Sequence, residues 1–136
     1  MVIRLLIVDD QQIVRQGLKM FFQTDPDIEL IGEAENGEQA IQIALEKFPT
    51  AILMDLLMPV LNGVDAIRHI HQEMPNVSII GLSSTQDNHL VNEAITAGAH
   101  SVIPKTVSPQ KLLETIKTQE NASRSRKQST DNLCED

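Results

Sequence analysis

Asp9 and Asp10 follow the apolar run IRLLIV (3–8), Asp55 follows AILM (51–54), Ser83 follows VSIIGL (77–82), and Lys105 follows HSVI (100–103) with Pro104 between. If the first and third runs lie side by side, three carboxylates meet within a few ångströms. Like charges ~4 Å apart repel by on the order of 4 kcal/mol per pair at an effective dielectric near ~20. A divalent cation offsets that repulsion, and oxygen donors without His or Cys favour a hard ion such as Mg2+. An ammonium group from Lys105 and a hydroxyl from Ser83 complete a receptacle for a phosphoryl group, whose transfer depends chiefly on positioning and charge neutralisation. Singly, each residue has a plainer explanation: Asp9 or Asp10 as a helix cap, Asp55 and Ser83 as turn residues, Lys105 as a solvated lysine. Independent turn residues have no reason to form this set, so their joint placement argues for a site.

The elements that must position these residues show two alternating periodicities. The runs 3–8, 28–34, 51–54, 77–82 and 100–103 are short and rich in β-branched residues, as strands are. Between them, apolar residues recur at helical spacing: Ile13, Val14, Gly17, Leu18, Phe21 and Phe22, then Ala40, Ile41, Ala44, Leu45 and Phe48. Val64, Ile67, Ile70 and Met74 form the third stripe, Leu90, Val91, Ala94 and Ile95 the fourth, and Leu112, Leu113 and Ile116 the last. Asp25-Pro26, Phe48-Pro49, Pro75-Asn76 and Ala97-Gly98 close helices, and Ser108-Pro109 opens the last one as N-cap followed by Pro. Continuously apolar strands alternating with helices predict an α/β fold, (βα)5, with a doubly wound parallel sheet of order 2-1-3-4-5. The carboxyl ends of strands 1 and 3 then face the point where strand order reverses, where such sheets bind ligands.

The 136 residues suit one domain, and a hydrophobic fraction of 41% is enough for a core without disulfides. Phe21, Phe22 and Phe48 are the only aromatics, and 11 Lys+Arg against 19 Asp+Glu give a net charge of −8. That composition lacks the basic, aromatic-lined groove that single-stranded nucleic acid needs, and it disfavours duplex DNA equally. Cys134, the single cysteine, excludes a disulfide framework and a Cys-based metal site. No apolar stretch is long enough for a signal peptide or a membrane span, so a soluble cytoplasmic chain is expected. Residues 1–118 read as the domain, and the polar stretch 119–136 as a flexible tail or the start of a linker.

LLIVDD (5–10), ILMDLLMPVLNG (52–63), GLSS (81–84) and AGAHSVIPK (97–105) together resemble the receiver domain of bacterial two-component response regulators, which has a flavodoxin-like fold. The resemblance covers roughly residues 2–118, and DDQQIVRQGLKMFF (9–22) is similar to receivers that precede a LuxR-type helix-turn-helix domain, as in the nitrate and nitrogen-fixation regulators. It implies that Asp55 is the phosphoacceptor. It also implies that Asp10, Asp55 and the backbone carbonyl of Leu57 ligate Mg2+ directly, with Asp9 reaching the metal through water. Lys105 would pair with the phosphoryl oxygens and Ser83 would donate to one of them. The implied donor is a phosphohistidine on a sensor histidine kinase or phosphotransfer protein, docking near Val14, Gly17 and Leu18. Such a domain is a phosphoacceptor that assists its own phosphorylation and dephosphorylation, not an enzyme with a separate substrate. Its implied output is transcription through a DNA-binding module absent from this sequence, and the partly apolar surfaces of the first and last helices are candidates for a homodimer contact. The alternative is a stand-alone receiver acting by protein contacts or as a phosphorelay intermediate.

Several positions depart from the family pattern. Val102 stands where many receivers carry a Tyr or Phe that turns inward, Thr106 replaces a common Pro, and Pro104 precedes Lys105 instead. Gln11 follows the acidic pair, Asn62 replaces a common Asp before Gly63, and Leu57 and Thr85 flank the reaction centre. Gln11 also argues against a phosphatase with an Asp nucleophile on the first strand, which needs a second Asp there. The turn DDQQ excludes a Gly-rich dinucleotide loop. His69, His71, His89 and His100 read as surface polar residues.

Overall fold

The computed structural model describes residues 2–58, 60–84 and 88–135, with side chains as far as 122. Its elements run β1 (Ile3–Val8), α1 (Gln12–Phe22), β2 (Ile28–Ala34), α2 (Gly37–Lys47), β3 (Ala51–Asp55), α3 (Gly63–Glu73), β4 (Ser78–Ser83), α4 (Asn88–Ala97), β5 (Ser101–Pro104) and α5 (Pro109–Glu135). The five strands pair in parallel in the order β2-β1-β3-β4-β5, as the alternation of periods predicts.

Strand side chains alternate between faces, so each strand feeds two cores. Leu5 and Ile7 join Leu53, Ile80 and Leu82 beneath α1 and α5, where Leu18, Phe22, Leu112 and Ile116 cover them. Leu6 and Val8 join Ile52, Met54 and Ile79 on the opposite face, covered by Ala40 and Ala44 of α2, Ile67 and Ile70 of α3 and Ala94 of α4. With both faces covered, the carboxyl ends of the strands remain as the open polar edge.

Three differences from the sequence reading have local causes. Ile13 is 78% exposed and Gly17 is also exposed, so the buried face of α1 is narrower than its apolar stripe. Arg15 takes a place in that buried face instead, because its guanidinium has fixed partners there. Leu18, expected to receive a partner, faces the core. The last helix does not end near 118 but is continuous to Glu135, and no Gly or Pro interrupts 110–135. Ser108 does cap it: its Oγ accepts from the Lys111 N–H at 3.2 Å.

His71 and His100 are half-buried and not simply surface residues. His100 Nδ1 accepts from the Ile79 N–H at 3.2 Å. A Cβ on Gly98, whose φ is +131°, would stand 2.4 Å from Cγ of His71, so the turn after α4 requires glycine against that ring.

Candidate phosphoryl-acceptor site

Asp9 and Asp10 leave β1, and Asp55 ends its neighbour β3, one residue later than the apolar run suggested. The structure brings all three acids together: each offers an oxygen within 4.8 Å of the others. Asp9 and Asp55 are buried, whereas Asp10 is exposed. Neither Asp9 nor Asp10 caps α1, whose N-cap is Gln11 without a side-chain bond. Asp9 Oδ1 instead accepts from the Gln11 N–H at 2.9 Å.

Lys105 Nζ arrives from beyond β5, donating to Asp55 Oδ2 at 3.0 Å and forming an ion pair with Asp9 Oδ2 at 2.7 Å. Burial pushes the Asp55 carboxyl up to about 6, against the lowering pull of the Lys105 hydrogen bond and charge. The Asp9 charge adds to the rise, and the Leu57 N–H, donating to Asp55 Oδ1 at 3.2 Å, opposes it. Burial alone would lower the Lys105 ammonium, but hydrogen bonds and charge from Asp9 and Asp55 hold it above its ordinary value. One cation thus faces three acids, and a hard divalent ion would suit the remaining oxygen-rich cluster.

Ser83 is buried at the end of β4, one residue beyond Leu82, the register partner of Asp55. Its carbonyl accepts from the Lys105 N–H at 2.8 Å, so one main-chain bond joins two expected phosphoryl contacts. Pro104 explains that bond. His100 donates its N–H to the Ile79 carbonyl, and the period of two along a parallel ladder would assign the Ser83 carbonyl to residue 104. Proline has no N–H, so the ladder stops and Lys105 donates instead.

Helix α3 starts hard against the acceptor. A Cβ at Gly63 would lie 2.1 Å from the Asp55 carbonyl oxygen, which leaves room only for glycine. Asn62 caps that helix, its side chain accepting from the Asp65 N–H at 2.9 Å. Val102 packs beside Gly81, where an added Cβ would meet its Cγ2 at 3.2 Å. Leu57 is half exposed on the rim of the cluster, and Thr85 lies outside the described residues.

Sequence reasoning missed Arg15, 8% exposed, whose Nη1 donates to the Asp9 carbonyl at 2.6 Å. Its signal was a charged residue inside an otherwise apolar helical face.

The response regulator receiver domain, as a sequence family, matches residues 5–117. The chain belongs to that family. It is 40% identical over 115 residues to the transcriptional regulatory protein LiaR of Bacillus subtilis, covering 85% of this chain and 54% of LiaR. It is 39% identical over 124 residues to the response regulator protein VraR of Staphylococcus saprophyticus, covering 90% of this chain and 59% of VraR. A two-component response regulator of the LuxR family from Aurantimonas sp. has a similar structure, with a TM-score of 0.84, 28% identity, and coverage of 90% of this chain and 87% of that one. The receiver thus spans little more than half the length of these curated relatives. Receivers generally hold Mg2+ at an acidic cluster, which here is Asp9, Asp10 and Asp55. Among the described residues no helix is long and apolar enough to cross a membrane.

Proposed function

We propose that this receiver accepts a phosphoryl group on Asp55 from a phosphohistidine of a sensor kinase or phosphotransfer protein in the cytoplasm. One observation carries the assignment: Asp55 is 2% exposed yet meets an ammonium group at 3.0 Å, with two further acids beside it. An Asp55 oxygen attacks phosphorus, the bond from phosphorus to the histidine nitrogen breaks, and the imidazole leaves with that electron pair. Lys105 turns from Asp55 Oδ2 to the transferred oxygens, and the Ser83 hydroxyl donates to one of them. Asp9, Asp10, Asp55 and the Leu57 carbonyl are the groups that would hold Mg2+. Bound there, the ion would neutralise charge on acceptor and phosphoryl group together.

Relatives named as transcriptional regulators support transcription as the output, exerted through a LuxR-type DNA-binding module outside these 136 residues. Phosphorylation would act through the loop that joins Ser83 to α4, biasing two arrangements of the α4, β5 and α5 face that controls self-association. The exposed side of α1, with Ile13, Gly17 and Met20, is where a kinase would dock, in place of Leu18.

The test is incubation with Mg2+ and a small-molecule phosphodonor, followed by intact-mass measurement. The wild type should gain one phosphoryl group and Asp55→Asn none. Equal labelling of both proteins, or labelling of neither, overturns the assignment.

A further inference from the structure

Arg15 is the one buried arginine among the residues whose side chains are described, and its partners are not those of a surface salt bridge. Nη1 donates to the main-chain carbonyl of Asp9 at 2.6 Å, and Nε donates to Glu33 Oε1 on β2 at 2.8 Å. Glu33 is held in turn by Lys19 through its other oxygen. Hydrogen bonds from Lys19 first, and then from Arg15, keep the Glu33 carboxyl below the usual carboxylate range. Glu33 is opposite Ile7 in the sheet, so the anchor for the guanidinium is part of the framework.

The carbonyl that Arg15 holds belongs to the peptide plane joining Asp9 to Asp10. A peptide unit is rigid, so fixing its oxygen orients the Cα atoms of both acids together. The other side of Asp9 is also tied, since its N–H donates to the Ala34 carbonyl at 3.0 Å. Asp10 is exposed, so packing constrains its direction little. The peptide plane supplies it.

We propose that Arg15 is a positioning residue for the Mg2+ site: clamped between Glu33 and the Asp9 carbonyl, it sets the Asp9-Asp10 peptide plane so that both carboxylates face Asp55. This rests on the reading of the acidic cluster as a metal site. Charge alone makes the opposite prediction. Removing a cation beside three carboxylates should tighten Mg2+ binding, whereas loss of positioning should weaken it, by about tenfold where a ligand's orienting partner is lost.

The experiment is a calorimetric Mg2+ titration of the whole chain, wild type and variants, with circular dichroism to establish folding. Arg15→Gln should weaken Mg2+ about tenfold. Arg15→Lys, which keeps the charge but cannot span both partners, should fall between that variant and the wild type. Arg15→Lys, whose charge is unchanged, carries the test if Arg15→Gln does not fold. Unchanged or tighter binding in the folded Arg15→Gln, or wild-type affinity in Arg15→Lys where that variant stands in, overturns the proposal, as does a lowered melting temperature at constant affinity. Asp10→Asn separates the two readings. If the wild type binds no Mg2+, or Asp10→Asn binds it equally well, the metal site itself fails.

Discussion

The Asp55 carboxyl, only 2% exposed, ionises at about 6 and not at the ordinary 3.8 because burial disfavours its charged form more than Lys105 favours it. An acid with a raised folded pKa holds more protons folded than unfolded. Metal-free stability should therefore be full below about 4, decline as pH rises through about 6, and level off above that, a loss of about 3 kcal/mol from this group. Urea unfolding of Asp55→Asn at pH 7.5 without Mg2+ should show a more stable protein by up to that amount, and no difference near pH 4. A midpoint unmoved at pH 7.5 would contradict the account. Val60 offers a second test, because its φ of +71° is left-handed and its side chain β-branched. That conformation costs roughly 1–2 kcal/mol, so Val60→Gly should stabilise the fold by about 1 kcal/mol, read as a higher urea midpoint. At this scale the sequence made the convergence of Asp9, Asp10, Asp55 and Lys105 legible, because each stands at or just past the end of an apolar run and the strand order brings the runs together. Arg15 was not legible. Its importance lies in a bond to a main-chain carbonyl, and nothing in the identity of Asp9 announces that its carbonyl needs a donor.

Among the elements, α1 shows how far a periodic pattern reaches. Its apolar stripe identified Phe22, which is fully buried against the β1 and β3 side chains of one core. Phe22→Ala should cost about 3–5 kcal/mol, read as a lower urea midpoint with Mg2+ binding retained in the folded fraction. The same stripe included Ile13 and Gly17, which the structure leaves outside, because Arg15 and its anchor Glu33 claim part of the inner face. The strands were placed to within a residue, since a buried parallel sheet writes each one as an unbroken apolar run. Their polar ends were harder to place. Asp55 and Ser83 belong to β3 and β4, and their ladder bonds do not depend on side-chain polarity. The end of α5 was not legible either, because the polar composition after 118 contains no residue that breaks a helix.

Over the whole molecule, the charge of −8 includes three acids gathered at one edge of the sheet, opposed there by Lys105. Mg2+ that binds the folded state alone stabilises it by mass action, about 2.7 kcal/mol at one hundred times the dissociation constant. Thermal melts should rise with Mg2+, return on chelation, and respond much less in Asp10→Asn; an equal response would argue against this cluster as the binding place. The order of strands has a further consequence, for how the chain reaches its folded state. Every pairing is parallel, so no two neighbouring strands can meet across a tight turn, and the pairing of β1 with β3 closes a loop that contains α1, β2 and α2. Each closure loses chain entropy before its contacts compensate, so folding should be slower than that of small helical bundles, whose contacts are local. Until β3 docks, one side of β1 lacks a partner, and the strand that leads into the acidic pair is the one whose ladder closes across the longest stretch of chain.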